Sequence, residues 1–345
     1  MKNALRILCG FLIVLGALST ASARAAIHYH LIKKVVLGGE GFWDYLKYDG
    51  AHHRLFISRG THVMVVDTRT YKVIGDIPDT QGVHGIALAP ELNRGFTSDG
   101  GANQVTIFNL KTLQTIGTTK TTGQGPDCIV YDPASKRVFT FNGRSDSSTA
   151  IDAATGKVVG TIDLGGRPEF AVADGEGHIY NNLEDKSEEL EIDTHSLKIL
   201  RRWPLAPGEH PSGLAMDPKT RRLFIGCHNQ LMVIMNANNG HVITTEPIGR
   251  GVDACRFDPG TRLAFSSNGM DGTLTVVQED SPNKFHVVAQ VPTERGARTM
   301  AVDPRTNRVY LVTAKFGPFH PPRPGERFRR PTMVPGSFTL LVFGP

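Results

Sequence analysis

Seven polar residues recur along the chain at intervals of 40, 43, 42, 43, 41 and 45 positions: Asp44, His84, Asp127, Glu169, Ser212, Asp253 and Arg298. Six are ionisable and none is apolar. If a fold brings equivalent positions onto one axis, four carboxylates, an imidazole and a guanidinium face one another there. Such proximity perturbs pKa values and marks a candidate site. All seven are candidate ligand contacts, and Asp127 and His84 are the candidates for acid–base work. Neighbouring loop positions add Arg59, Asp99, Asn142, Asn182, His228, Asn268 and Lys315. Four carboxylates with imidazoles and amides suit a hard divalent cation held through oxygen ligands. Other chemistries find no support. There is no G-x-S-x-G elbow, and the adjacency of His210 and Ser212 is not a catalytic geometry. No C-x-x-C-H occurs, so covalent haem is not expected, and no glycine-rich phosphate loop is present.

The elements that must position these residues are short and regular. Each of the seven stands five residues before a turn marker: Asp49-Gly50, Ala89-Pro90, Asp132-Pro133, Asp174-Gly175, Asp217-Pro218, Asp258-Pro259 and Asp303-Pro304. Such dipeptides punctuate strands. A second marker, 18 to 20 residues later, is expected to end a third strand at Asp67, Asn109, Asp152, Asp193, Asn236 and Val277. Between Gly125 and Pro168 four β-like runs are plain: CIVY, RVFTF, STAID and KVVGTID. Four strands per unit at a period of 40 to 50 residues predict an all-β propeller with four-stranded blades. The ends of the chain argue for a closed ring. The last unit runs out after a third strand at Ser337–Phe343, and the missing fourth is supplied by Tyr29–Leu37, so seven blades are expected, the last closed by the N-terminal strand.

The segments DPASKRVFTFNGRSDSSTAIDAATGKVVGTIDLGGRP and SDGGANQVTIFNLKTLQTIG, with weaker copies in every unit, resemble the YVTN-repeat, YncE-like family of seven-bladed propellers. The resemblance covers residues 27 to 345. It implies the fold and leaves the activity open, because propellers host binding, scaffolding and enzymatic roles. The WD dipeptide Trp43-Asp44 precedes a first strand instead of ending a third, unlike a WD40 repeat. Lactonase-like propellers hold a catalytic metal near this place through Glu, Asn and Asp. The matching positions are Glu169, Asn182 and Asp253, with calcium or zinc as the implied ion, although that family's signature is missing from this chain.

One unit breaks the period. Residues 314–336 form a Pro- and Arg-rich insertion in the seventh unit, with six prolines in Lys315–Gly336, which excludes a helix or central strand. Lys315, Arg323, Arg327, Arg329 and Arg330 against Glu326 give it a net charge of +4. It starts on the face of the polar ring, so its arginines are candidate ligand contacts, as a lid or as a reach toward an anionic partner.

The first 25 residues differ from the rest. Lys2 and Arg6 precede the apolar run Ile7 to Leu18, followed by Ala21, Ala23 and Ala25. That three-part pattern predicts a secretory signal peptide cut after Ala25 and a periplasmic or secreted protein. Residues 26–345 are then the propeller. Loss of Lys2, Arg6 and Arg24 takes the formal charge from +5 to +2. So mild a charge does not favour nucleic acid as a partner. Cys128, Cys227 and Cys255 remain, which permits one disulfide at most. The expected protein is a monomer with no membrane span after processing. It binds an unidentified protein or small molecule at the ring face, with a metal-dependent lactonase or hydrolase as the alternative.

Overall fold

The computed structural model describes residues 28–318 and 332–345. The fold is a seven-bladed β-propeller of four-stranded antiparallel sheets. The innermost strands are Leu46–Asp49, Val83–Ala89, Pro126–Asp132, Pro168–Ala173, Pro211–Asp217, Val252–Asp258 and Met300–Asp303, in blades one to seven. Among the described residues there is no α-helix, only the 3-10 turn Pro90–Leu92. No helix is long and apolar enough to cross a membrane. The last blade takes its outer strand, His30–Val36, from the start of the chain and pairs it with Thr339–Gly344. Closure through the two chain ends therefore occurs as the repeat count requires.

The burial follows from the stacking of blades. A middle strand is covered on both faces by neighbouring blades, so Arg54–Ser58 and Val63–Asp67 are buried at every residue. The outer strands, such as Thr115–Lys120, are mostly exposed. Aromatic residues wedge adjacent blades: Phe56 meets Phe108 at 5.8 Å between blades one and two, and Phe224 meets Phe285 at 5.9 Å between blades five and six.

The second marker has a local cause. Asp67, Asn109, Asp152 and Asp193 each accept from the backbone N–H three residues on, at 2.8, 2.9, 2.7 and 2.6 Å. The side chain thus closes the turn into the outer strand. The turn ends on a left-handed residue, Tyr71, Leu113, Gly156 or Leu197 in those blades. Val277 departs from this expectation. The third strand of blade six continues to Ser281 and turns back at Lys284, and Gln278 takes the register position that Asp152 holds in blade three.

Three of the loop candidates are structural. Asp99, Asn142 and Asn268 are fully buried at the end of the second strand of their blades. Asn142 accepts from Thr140 and donates to Ser147 and Thr149 at 3.0 to 3.2 Å. Asn268 repeats this with Ser266, Thr273 and Thr275. Asp99 takes the same place, accepting from Thr97 and Thr106. Burial pushes its carboxyl up to about 6, against the pull of those hydroxyls. These clasps join the second strand to the third and are not on the channel. The three cysteines are free and buried, so no disulfide bridges them.

Candidate functional site

The inner strand has the same length from ring residue to marker in every blade, so the seven polar residues do converge at one channel mouth. Arg298 Nε lies 2.6 Å from Asp253 and its Nη2 3.6 Å from Asp44. The same Nη2 donates to the Trp43 carbonyl at 2.8 Å. On the other side of Asp44, His84 Nδ1 sits at 2.6 Å, and Asp127 follows at 3.6 Å from the same nitrogen. Ser212 Oγ reaches Asp253 at 3.4 Å. Glu169 in blade four faces Arg167 at 3.8 Å, and Arg167 also holds Glu184 at 2.9 Å.

The electrostatics follow from crowding. Burial, then the charges of Asp127, Asp253 and Glu184, push Glu169 well above the usual carboxylate range, with Arg167 opposing. Burial raises Asp127 to about 6, with His84 pulling it down and Asp44 and Asp253 pushing it further up. Burial also raises Asp253, although Arg298 counters it. For His84, burial alone works against the imidazolium. The hydrogen bond to Asp44 and the charges of Asp127 and Asp44 override it and lift the pKa to about 9. At neutral pH the ring therefore holds a charged histidine between two aspartates.

A pH dependence follows. The folded pKa of His84 exceeds the unfolded value near 6.5, so its stabilisation is complete below about 6.5 and lost as pH rises through about 9. Its side chain is 37% exposed, and after screening the effect is about 1–2 kcal/mol. Denaturant midpoints of the parent protein should fall between pH 6.5 and 9.5, relative to a flatter profile for His84→Gln. Parallel profiles would show that His84 is not charged in the folded protein.

Beneath the ring the channel is bridged. Tyr45 of blade one stacks on Phe170 of blade four at 4.9 Å, across the diameter of a seven-bladed ring. Arg256 of blade six lies on the same Phe170, 4.8 Å from its centroid. Beside the ring, between blades five, six, seven and one, opens a cavity of about 950 Å³. Phe42, Trp43, Met270 and Phe316 give it apolar walls, and Arg295 and Lys315 bring two cations. Asp253 and Arg298 belong to both the ring and this cavity.

Other predicted residues fall elsewhere. Asn182 is fully buried and donates to the Ser212 carbonyl at 2.8 Å. In register terms Leu183, not Asn182, is the counterpart of Asn142, and a one-residue offset turns a side chain to the opposite sheet face. Glu169 and Asp253 do face the ring. The metal-ligand-type side chains gathered within 4.8 Å among the described residues are instead Asp44, His84 and Asp127. Arg59 is buried and serves the fold, as the Discussion describes. His228 stands 3.8 Å from Glu184 and lines the cavity. Arg323, Arg327, Arg329 and Arg330 lie outside the described residues, as do residues 1–27 with the expected signal peptide. Sequence reasoning missed the Tyr45–Phe170 bridge and the cavity walls. Trp43 and Phe42, immediately before a ring residue, were the available signal.

No family model matches the chain, and no curated protein does. Solved structures show the same fold. The WD40 repeats of RRP9 superpose with a TM-score of 0.76 at 9% identity, over 92% of this chain and 99% of that one. A chain of a mitotic checkpoint complex gives 0.75 at 12% identity, over 99% of both. A chain of the hydrazine synthase of Kuenenia stuttgartiensis gives 0.69 at 16%, over 81% and 94%. At these identities the likeness is one of architecture.

Proposed function

We propose that the protein is a binding module whose ligand seats in the entrance-face cavity and is oriented by the charged ring. The observation that carries this is the cavity of about 950 Å³ joined to the ring through Asp253 and Arg298. A concave, largely apolar site with a few converging polar groups is the usual form of a ligand pocket. Met270 on its wall is 64% exposed, a large apolar side chain that a ligand would cover. The protein-interaction role common among propellers is in keeping with a binding role, as a peptide segment also fits such a groove.

Trp43 reports on this cavity, and Trp203 is the other of two tryptophans. In a Trp203→Phe background, titration with 1-anilinonaphthalene-8-sulfonate should quench Trp43, and Met270→Asp should weaken the dye about tenfold. Equal affinity in the two proteins would place binding elsewhere. Export belongs to the same reading, on the strength of Lys2, Arg6 and the apolar run ahead of Ala25. A purified N-terminus at Ala26 is expected, and an intact leader on protein from the cell envelope would contradict it.

A second reading is a metal-dependent lactonase or hydrolase, favoured by one observation, the approach of Asp44, His84 and Asp127. One imidazole with two carboxylates suits zinc better than calcium. A bound zinc would polarise an ester carbonyl and acidify its water. His84 would have to give up its proton first, so occupancy would rise with pH. Elemental analysis should find stoichiometric zinc in natively purified protein and none in Asp44→Asn. Metal-free parent protein that gains none on zinc addition at pH 9 would remove this reading.

A further inference from the structure

Below the aromatic bridge the channel widens into a second cavity, of about 400 Å³, reached from the mouth opposite the ring. It is lined by the inner strands, with Tyr45 and Pro304 just beyond them. The position three residues after each ring residue reads Lys47, Ala87, Val130, Val172, Ala215, Arg256 and Ala301. Five are small and apolar and leave the space open. The other two are cations. They come from blades one and six, close enough that Arg256 depresses the charge of Lys47.

The two charges have no acid to answer them. Among the described residues no Asp or Glu lines this cavity. Lys47 has neither hydrogen bond nor ion pair among the described residues. Arg256 donates to its neighbour's carbonyl, Cys255 O, at 2.7 Å and rests on the Phe170 ring. The ring carboxylates stand beyond the bridge of Tyr45 and Phe170. Two like charges drawn into one water-filled pocket of a protein cost free energy unless a counter-charge joins them. The rest of the lining is apolar or aromatic, including Phe170, Tyr131, Met216 and Phe257. An inorganic ion would leave those walls wet, whereas an organic anion would cover them.

We infer that the channel binds a small organic carboxylate from the face opposite the charged ring, its anionic head between Lys47 and Arg256 and its apolar body against Phe170, Met216 and Phe257. The site is independent of the entrance cavity, since the aromatic bridge separates the two.

A proton comes with the ligand. Surrounding protein, then Arg256, push the free Lys47 amine down to about 8, with Cys128 opposing. The other titratable groups in the cavity stay in one form at that pH. Burial holds the Cys128 thiol up at about 12 and raises Tyr45 and Tyr131, and Arg256 remains a cation. Tyr48 at the rim is raised as well and accepts Arg305 on its hydroxyl at 2.8 Å. An anion favours the charged amine, so affinity should be flat below about pH 7.5 and fall about tenfold per unit well above pH 8.

Calorimetric titration of the full chain with benzoate, and separately with inorganic phosphate, tests this. Benzoate should bind the parent protein and Met270→Asp equally, and Lys47→Met at least tenfold more weakly. The substitution removes one of two like charges from the pocket, so this variant should melt no lower than the parent. Arg256→Met should show the same loss if it folds. The inference is overturned if folded parent protein binds no benzoate, if Lys47→Met binds it unchanged, or if phosphate binds and benzoate does not.

Discussion

Arg59→Leu should lower stability by about 4 kcal/mol through the loss of charged hydrogen bonds to buried carbonyls. Arg59 is fully buried. Its guanidinium donates to Gly38 O at 3.2 Å, Glu40 O at 2.7 Å and Gly41 O at 3.0 Å, and lies 3.5 Å from the centroid of Phe338. Those carbonyls belong to the link that leads from the strand His30–Val36, the outer strand of blade seven, into blade one. The Phe338 carbonyl in turn accepts from Leu37 and Gly38 at 2.8 and 3.1 Å. One side chain thus fastens the place where the ring closes. Leucine keeps part of the volume but leaves three carbonyls with no donor. Denaturant unfolding checks the magnitude, and hydrogen exchange checks the mechanism. Exchange should accelerate first in His30–Val36. Uniform acceleration across all blades, or a stability within 1 kcal/mol of the parent, would show that closure does not depend on this residue.

Arg298→Met should cost about 3 kcal/mol at pH 8, the usual consequence of removing one member of a largely buried ion pair. The guanidinium is shared by Asp253, Asp44 and the Trp43 carbonyl, and without it Asp253 loses its cation while Asp44 keeps His84. The pH dependence has a definite sign. With the cation gone, the raised folded pKa of Asp253 stands further above its unfolded value, so protonation favours the folded state. The deficit of Arg298→Met should therefore shrink as pH falls from 8 to 5. Adding Asp253→Asn should recover part of it at pH 8, because the stranded charge is removed. A deficit independent of pH, with no recovery in the double variant, would mean that Arg298 acts by packing on Trp43, whose ring its guanidinium approaches at 5.8 Å, and not by charge.

The seven-bladed architecture was legible in the sequence because two markers do physical work in most of the repeats. The Asp-Pro type turn ends the inner strand, and Asp67, Asn109, Asp152 and Asp193 close the turn into the outer one. A fixed inner-strand length then carries Asp44, His84, Asp127, Glu169, Ser212, Asp253 and Arg298 to one mouth. What was not legible depends on register and on contacts between non-adjacent blades. Asn182 carries the amide that the lactonase-like resemblance implies, yet Leu183 holds the equivalent position and the alternation of a strand sends Asn182 to the opposite face. The amides Asn142 and Asn268 look like ligands in a string of letters, but hydroxyls two, five and seven residues away consume them. Lys47 and Arg256 stand out only once the closed ring shows them lining one cavity beneath the aromatic bridge. Tyr45 and Phe170 meet only because seven blades set one opposite four.

The entrance-face site is tested most directly by crystals of the parent protein soaked with a panel of small uncharged aromatic amides. Density for several fragments should converge between Trp43, Met270 and Phe316, with polar groups turned to Arg298, Arg295 or Lys315. Fragments settling elsewhere on the propeller, with this cavity holding only water at the same concentrations, would contradict the proposal that the ring face is where the protein binds.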